Sequence, residues 1–249
     1  MLLLHAHHQC NSSDMLTPRS AEYCETDEYN ENNIMTLIDE KQKVPKCIVV
    51  PRTEDRLILL PGHSNTVCLD ERIAYSAFIA NLMSGNFANT VGMMAYGIRT
   101  AAYVYGADTV LIDMSPSGGS FNKLLVLTSN AFIVPATGSP FVVQALSRSS
   151  GNLYEEWKKI YGMWENSVNF TSGISLILPT KLPKLIGVVA NTINDRKEDI
   201  ERLATIVETK FVPRLIESGY ETHPKPMLIT QYGDHSSFRG IRSLIQLSH

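Results

Sequence analysis

Short apolar segments rich in Val, Ile and Leu recur along the chain, and longer segments with helical spacing lie between them. Several of the short segments contain no alternating polar residues, which is typical of strands buried on both faces of a parallel sheet. The pattern predicts strands at residues 2–4, 47–50, 57–60, 109–112, 131–134, 185–189 and 227–230.

The clearest helical pattern lies in the last quarter of the chain. Its apolar residues follow the spacing i, i+3, i+4, i+7 and i+11: Ile200, Leu203, Ala204, Val207 and Phe211. Asp195 and Glu198 can form a capping box at its start. Strands that alternate with helices of this length require crossover connections that cover the sheet. We therefore predict an α/β fold of three layers, with a mostly parallel sheet and helices on both faces.

Residues 11–46 depart from this pattern. They are polar and acidic between Glu25 and Asn33, and only residues 34–38 are apolar enough to join a core. We predict a flexible polar insertion that contains a short helix. A length of 249 residues lies within the range of single α/β domains, so we expect residues 1–249 to form one domain.

Composition and charge exclude several classes of protein. Hydrophobic residues make up 44% of the chain and charged residues 19%, which is typical of a globular protein. The net charge of -3 gives no global reason to expect a polyanionic partner, although a local basic face remains open. The four cysteines lack C-x-x-C spacing, and no apolar run reaches the ~20 residues of a membrane span. We expect reduced thiols, a cytoplasmic location and no membrane span.

The chemistry is expected where strands end, because ligands of doubly wound sheets bind beyond the carboxyl ends of the strands. The strand at 109–112 leads directly to Asp113 and then to a loop with Ser115, Pro116, Gly118 and Gly119. An aspartate there can hold Mg²⁺, and the backbone N–H groups of the loop can approach a phosphate. The alternative is that Asp113 caps a turn and the glycines serve backbone geometry alone.

Residues 106–118, followed by Asn122, resemble the Walker B strand and switch region of the ParA/MinD family of deviant P-loop ATPases, in which a D-x-x-P-S run follows the strand. The resemblance continues in the same order along the chain. Residues 129–137 are similar to the family's next strand, which ends in proline, and residues 57–62 are similar to a strand that ends in Pro-Gly. Residues 185–191 resemble the strand whose terminal asparagine, here Asn191, lies near adenine. Residues 227–237 resemble the last core strand and a base-contacting loop that includes Asp234.

The amino-terminal segment departs from the family. Residues 2–11 are similar to the D-x-D-P-Q-x-N segment, but His5 and His7 stand where the family has aspartates and His8 replaces its proline. Carboxylates there assist the attacking water or the metal, so we expect their replacement to impair hydrolysis. A second interpretation is that these histidines bind a metal, since imidazoles at i and i+2 of a strand share a face.

The family's phosphate loop, K-G-G-x-G-K-[ST], has no counterpart, because no Gly-Lys pair occurs in the 249 residues. Its amides and lysines bind the β- and γ-phosphates, so we expect ATP to bind weakly or not at all without it. The resemblance thus implies a P-loop NTPase-like fold that lacks the first strand and the Walker A loop. We expect the upstream DNA to encode both in frame if the protein is a working ATPase.

The resemblance implies an ATP-driven dimeric switch in plasmid or chromosome segregation, with Mg-ATP as cofactor and a ParB-like adaptor as partner. Asp113 would handle the metal and the water, Ser115, Pro116, Gly118 and Gly119 would lie near the γ-phosphate, and Asn191 and Asp234 would contact the base. Basic residues in the last third favour nonspecific DNA as a further partner, although a solvated helix face explains them equally: Lys181, Lys184, Arg196, Lys197, Arg202, Lys210 and Arg214. The alternative function is a non-catalytic pseudo-ATPase, or a truncated copy, that acts by protein interaction.

Overall fold

The structure is a computed structural model that describes residues 1–6, 13, 16, 32–38, 45–50, 57–82, 86–115, 119–136, 159, 162, 183–190, 197–217 and 222–230. The chain divides into two compact units. The first comprises Met1–Leu125 and Ile160–Leu178, and the second comprises Val126–Lys159 and Pro179–His249.

The sheet of the first unit has four strands: β1 (Leu2–Ala6), β2 (Ile48–Val49), β3 (Ile58–Leu60) and β4 (Val110–Met114), in the order β2-β3-β1-β4. The strands β3 and β4 both pair with β1 in parallel, whereas β2 pairs with β3 antiparallel. In β1, Leu2 and Leu4 are fully buried, as its uninterrupted apolar sequence predicts. The apolar strand β4 is less buried, with Leu111 48% exposed, and within the described part of the chain β1 is its strand neighbour.

Among the described residues, α1 (Thr66–Leu82), α2 (Asn86–Tyr105) and the 3₁₀ helix Ile34–Ile38 belong to this unit, and α3 (Ser120–Thr128) begins in it and ends in the second unit. The helix α2 ends at Gly106, whose φ of 64° is the left-handed conformation that favours glycine. Backbone bonds from Gly106 N–H to Tyr103 and from Ala107 N–H to Ala102 complete the Schellman motif. The 3₁₀ helix packs close to α2, with Leu37 against Gly97.

The sheet of the second unit consists of three parallel strands in the order β5-β6-β7: β5 (Ala131–Ala136), β6 (Lys184–Ala190) and β7 (Thr222–Thr230). A helical segment follows β6, made of α4 (Lys197–Ile206), a π-helical turn (Val207–Phe211) and α5 (Val212–Glu217). Pro213, which cannot donate a backbone hydrogen bond to the previous turn, lies two residues after the end of the π turn. Leu203, Val207 and Phe211 are buried in one cluster with residues of β5 and β6.

The observed elements agree with the predicted ones at every strand, and the class is α/β with mostly parallel sheets and helices on both faces. Residues 34–38 of the predicted insertion form the short helix and join the core, with Ile34 fully buried. Flexibility elsewhere in 11–46 and the single-domain organisation stay predictions. No helix within the described ranges is long and apolar enough to cross a membrane.

Candidate functional site

The parallel strands β3, β1 and β4 end at one edge of the first unit's sheet. The register places His5 of β1 directly beside Asp113 of β4. The turn after β3 brings Gly62 to the same edge, where it contacts Ser13. We call these four residues, together with Asp70, Ser115 and Asn122, the strand-end site.

His5 is the buried centre of this site, with 1% of its surface exposed. Its Nδ1 lies 2.7 Å from the hydroxyl of Ser13 and accepts a hydrogen bond from the Ser13 backbone N–H at 3.1 Å. The backbone N–H of Gly62 donates to the same hydroxyl at 3.0 Å. Ser13 is itself buried. Its hydroxyl therefore joins the end of β1 to the turn that follows β3.

On its other side, His5 faces the carboxylate of Asp113. The distance from His5 Nε2 to Asp113 Oδ2 is 4.0 Å, which is too long for a hydrogen bond but close enough for an electrostatic contact. The Asp113 side chain is 45% exposed. One carboxylate oxygen therefore faces a buried imidazole while the side chain as a whole reaches solvent.

The first turn of α3 is fixed by two side chains. Asp70 of α1 accepts a hydrogen bond from the Phe121 backbone N–H, with 2.7 Å between Oδ1 and N. Its carboxylate also fills the space that a Cβ at Gly119 would need. Asn122 donates from Nδ2 to the Ser115 carbonyl at 2.7 Å. Because a helix amino terminus attracts negative charge, Asp70 acts as a cap supplied by another helix.

A small pocket lies at this edge, with α1 and α3 on its sides: Ala6, Thr66, Val67, Asp70, Ser115, Phe121 and Asn122 line it. Its volume is about 230 Å³ even with open solvent at its mouth included. Pockets for whole organic ligands usually measure ~300–1,000 Å³. The pocket is therefore too small to enclose a whole nucleotide.

The strand-end site contains Asp113 and Ser115, and Gly119 adjoins it beside Asp70. Pro116, Gly118, Asn191 and Asp234 lie outside the described residues, as do His7 and His8. All assigned roles stay predictions. Among described residues, no group of three potential ligands from His, Cys, Asp and Glu could hold a metal ion. The metal interpretation stays a prediction, because His7 and His8 lie outside the described residues; the Nδ1 atom of His5 is bonded to Ser13.

Sequence reasoning missed Ser13 and Asp70. Asp70 lies inside a helix, and its contact with Phe121 joins residues 51 positions apart. Helical periodicity marks Asp70 only as a polar position, and no local motif links it to α3. The pairing of Ser13 with His5 likewise joins residues that no local motif links, eight positions apart in the sequence.

Two further residues near the first unit's sheet, His63 and Cys47, also form hydrogen bonds. His63 accepts a hydrogen bond from the Asn65 backbone N–H at 3.0 Å, just before α1, and burial lowers the pKa of its imidazole. Cys47 donates its backbone N–H to the hydroxyl of Tyr105 at 2.9 Å. Burial raises the pKa of the Cys47 thiol to about 12.

The described residues fit Mg-ATP only in part. The partly exposed Asp113 offers the oxygen ligands that Mg²⁺ prefers. The amino terminus of α3 meets the carboxylate of Asp70, which would repel a phosphate. These residues thus suit the metal end of Mg-ATP and do not form a triphosphate cradle by themselves.

No protein-family model and no curated protein matches the sequence. Among solved structures, the chain is similar to protein DIP2308 from Corynebacterium diphtheriae, with a TM-score of 0.71 and 18% identity over 98% of this chain and 85% of that chain. It is similar to an ATP complex of McdA from Cyanothece, with a TM-score of 0.53 and 12% identity over 97% of this chain and 75% of that chain. It is also similar to pNOB8 ParA bound to nonspecific DNA, with a TM-score of 0.52 and 12% identity over 98% and 81% of the two chains.

These likenesses establish the fold. The chain is an α/β protein with a P-loop NTPase-like fold. Within that class, its fold resembles those of pNOB8 ParA and Cyanothece McdA, as the sequence resemblance implied.

Proposed function

We propose that the protein is a ParA-like partition or positioning ATPase, an ATP-dependent dimeric switch that acts in plasmid or chromosome segregation. The observation that carries the proposal is Asp113, a partly exposed carboxylate at the end of β4 in a chain with the ParA fold. The ATP complex of McdA, a protein of similar fold, supports nucleotide as the ligand class.

In this proposal Asp113 holds Mg²⁺ and orients the attacking water. Ser115 and Gly119, with Pro116 and Gly118 between them, sense the γ-phosphate. Movement of this loop would be transmitted to α3, because the Asn122 side chain donates a hydrogen bond to the Ser115 carbonyl. Asn191, which directly follows β6, and Asp234 contact the base.

Nonspecific DNA is the proposed surface for the dimer, and a ParB-like adaptor is the proposed trigger of hydrolysis. The DNA-bound structure of pNOB8 ParA supports this partner class. In the helical segment 197–217, the exposed basic residues Arg202, Lys210 and Arg214 alternate with exposed glutamates. That segment has no excess of positive charge, so DNA binding would require basic residues elsewhere as well.

Two observations favour a second candidate, a non-catalytic protein of the same fold that acts by protein interaction. Asp70 places a negative charge at the first turn of α3. His5, at a position where the family pattern has an aspartate, is bonded within the protein and buried. Neither arrangement favours phosphate binding or water activation.

Sedimentation velocity on the full natural protein separates the two candidates. The ATPase proposal predicts a monomer without nucleotide and a dimer with Mg-ATP, and it predicts that Asp113→Ala stays monomeric in both conditions. Thr205→Ala is the matched control, because its exposed hydroxyl bonds only within its own helix. An unchanged sedimentation coefficient with saturating Mg-ATP would favour the non-catalytic candidate.

A further inference from the structure

The proposed function assigns no role to the contact between His5 and Ser13. A buried imidazole can carry its proton on either ring nitrogen, and the choice decides which nitrogen donates a hydrogen bond. The surroundings of His5 determine that choice.

The Nδ1 atom of His5 receives a hydrogen bond from a backbone N–H. Ser13 N lies 3.1 Å from Nδ1, and a backbone N–H can only donate. In a neutral ring, Nδ1 must then carry a lone pair, and the proton resides on Nε2. The Ser13 hydroxyl, 2.7 Å from Nδ1, donates to the same lone pair.

The Ser13 hydroxyl is oriented by Gly62. Because the Gly62 N–H donates to Oγ at 3.0 Å, one lone pair of the hydroxyl is engaged and its hydrogen can turn toward Nδ1. Ser13 and His5 are both buried, so water does not compete readily for these bonds.

The tautomer of His5 affects Asp113 through the other ring nitrogen, Nε2. With the proton on Nε2, a neutral N–H faces Asp113 Oδ2 across 4.0 Å. The dipole of this N–H stabilises a negative charge on that oxygen, whereas a bare Nε2 lone pair would repel it.

We infer that His5 is a positioning residue for Asp113, and that Ser13 holds it in the tautomer that presents Nε2–H to the carboxylate. The inference rests on the proposed function only for the use that Asp113 makes of this orientation. The chain from Gly62 through Ser13 and His5 links the turn after β3 to the functional end of β4.

The test is a long-range ¹H–¹⁵N correlation spectrum of the full protein labelled with ¹⁵N-histidine, recorded without nucleotide at a pH where His5 is neutral. The His5 signals are assigned by their loss in His5→Gln, or by through-space contacts with Ser13 if that variant does not fold. We expect a protonated Nε2 and a bare Nδ1. A protonated Nδ1 would overturn the inference.

The variant Asp113→Asn tests the second half of the inference. It should shift the Nε2 and Hε2 resonances and leave the tautomer unchanged, because Ser13 and not Asp113 sets it. A change of tautomer in this variant, or Nε2 resonances that do not move, would contradict the positioning role. Thr205→Ala is the control, since its exposed hydroxyl bonds to the Glu201 carbonyl of its own helix and its loss should leave the His5 signals in place.

The outcome of this experiment does not depend on whether the proposed function is correct. A protein that binds no ATP can still show the predicted His5 tautomer, which would leave the inference standing and remove the ATPase proposal. A protein that binds Mg-ATP but has a protonated Nδ1 would do the reverse.

Discussion

At the scale of single residues, Ser13 connects two parts of the strand-end site through its hydroxyl. Its hydroxyl contacts His5 and accepts the bond from the Gly62 N–H. Ser13→Ala removes these buried hydrogen bonds, which costs about 1–3 kcal/mol. We therefore predict that urea unfolding, followed by circular dichroism, gives a free energy of unfolding lower by about that amount.

Thr205→Ala is the control for this prediction, because its hydroxyl is exposed and bonds to the Glu201 carbonyl of the same helix. A surface change of this kind should alter the free energy of unfolding by less than about 0.5 kcal/mol. Equal unfolding midpoints for Ser13→Ala and Thr205→Ala would show that the Gly62 N–H does not depend on Ser13.

Two cysteines should differ in reactivity because of their surroundings. Cys68 is exposed, whereas burial raises the pKa of the Cys47 thiol to about 12. Alkylation requires the thiolate, so at pH 8 Cys47 should react on the order of 10³-fold more slowly than an ordinary cysteine thiol. Peptide mapping after timed iodoacetamide treatment measures both rates in one sample. Equal labelling of the folded protein would contradict the burial of Cys47, and equal labelling in urea is the expected control result.

At the scale of elements, the end of α2 depends on one glycine. Gly106 has a φ of 64°, and a side chain there costs about 1–2 kcal/mol even though no atom lies near its Cβ position. Gly106→Ala should therefore lower the free energy of unfolding by about that amount in a urea titration. Gly162→Ala is the matched control, since Gly162 also has open space but no left-handed φ. Equal stability of the two variants would contradict the Schellman motif.

The elements could be predicted from the sequence where local pattern determines them. The strands follow from uninterrupted apolar runs, and the burial of Leu203, Val207 and Phe211 follows from helical spacing. The π turn before Pro213 does not appear in that pattern, because it depends on how the chain accommodates a missing backbone donor. The half-exposure of Leu111 also departs from the pattern, since burial depends on which strands become neighbours.

The same distinction explains what could be predicted of the site. The place of Asp113 in the site could be predicted from the sequence, because an acid directly after an apolar strand lies at the ligand-binding edge of a parallel sheet. Asp70 and Ser13 could not be predicted, because their partners Phe121 and Gly62 lie 51 and 49 positions away in the sequence. The fold arranges these groups, and no local spacing encodes them.

At the scale of the whole molecule, we propose that a ParA-like fold carries a nucleotide site at the end of β4. The fold rests on structural likeness, whereas phosphate binding has to be achieved in a chain whose 249 residues contain no Gly-Lys pair. Nucleotide binding is therefore the property to test first.

Isothermal titration calorimetry of the full natural protein measures Mg-ATP binding directly. We predict saturable binding that requires Mg²⁺, and loss of that binding in Asp113→Ala with the fold intact by circular dichroism. A folded wild-type protein that gives no saturable heat, or an Asp113→Ala variant that binds as well as wild type, would contradict it.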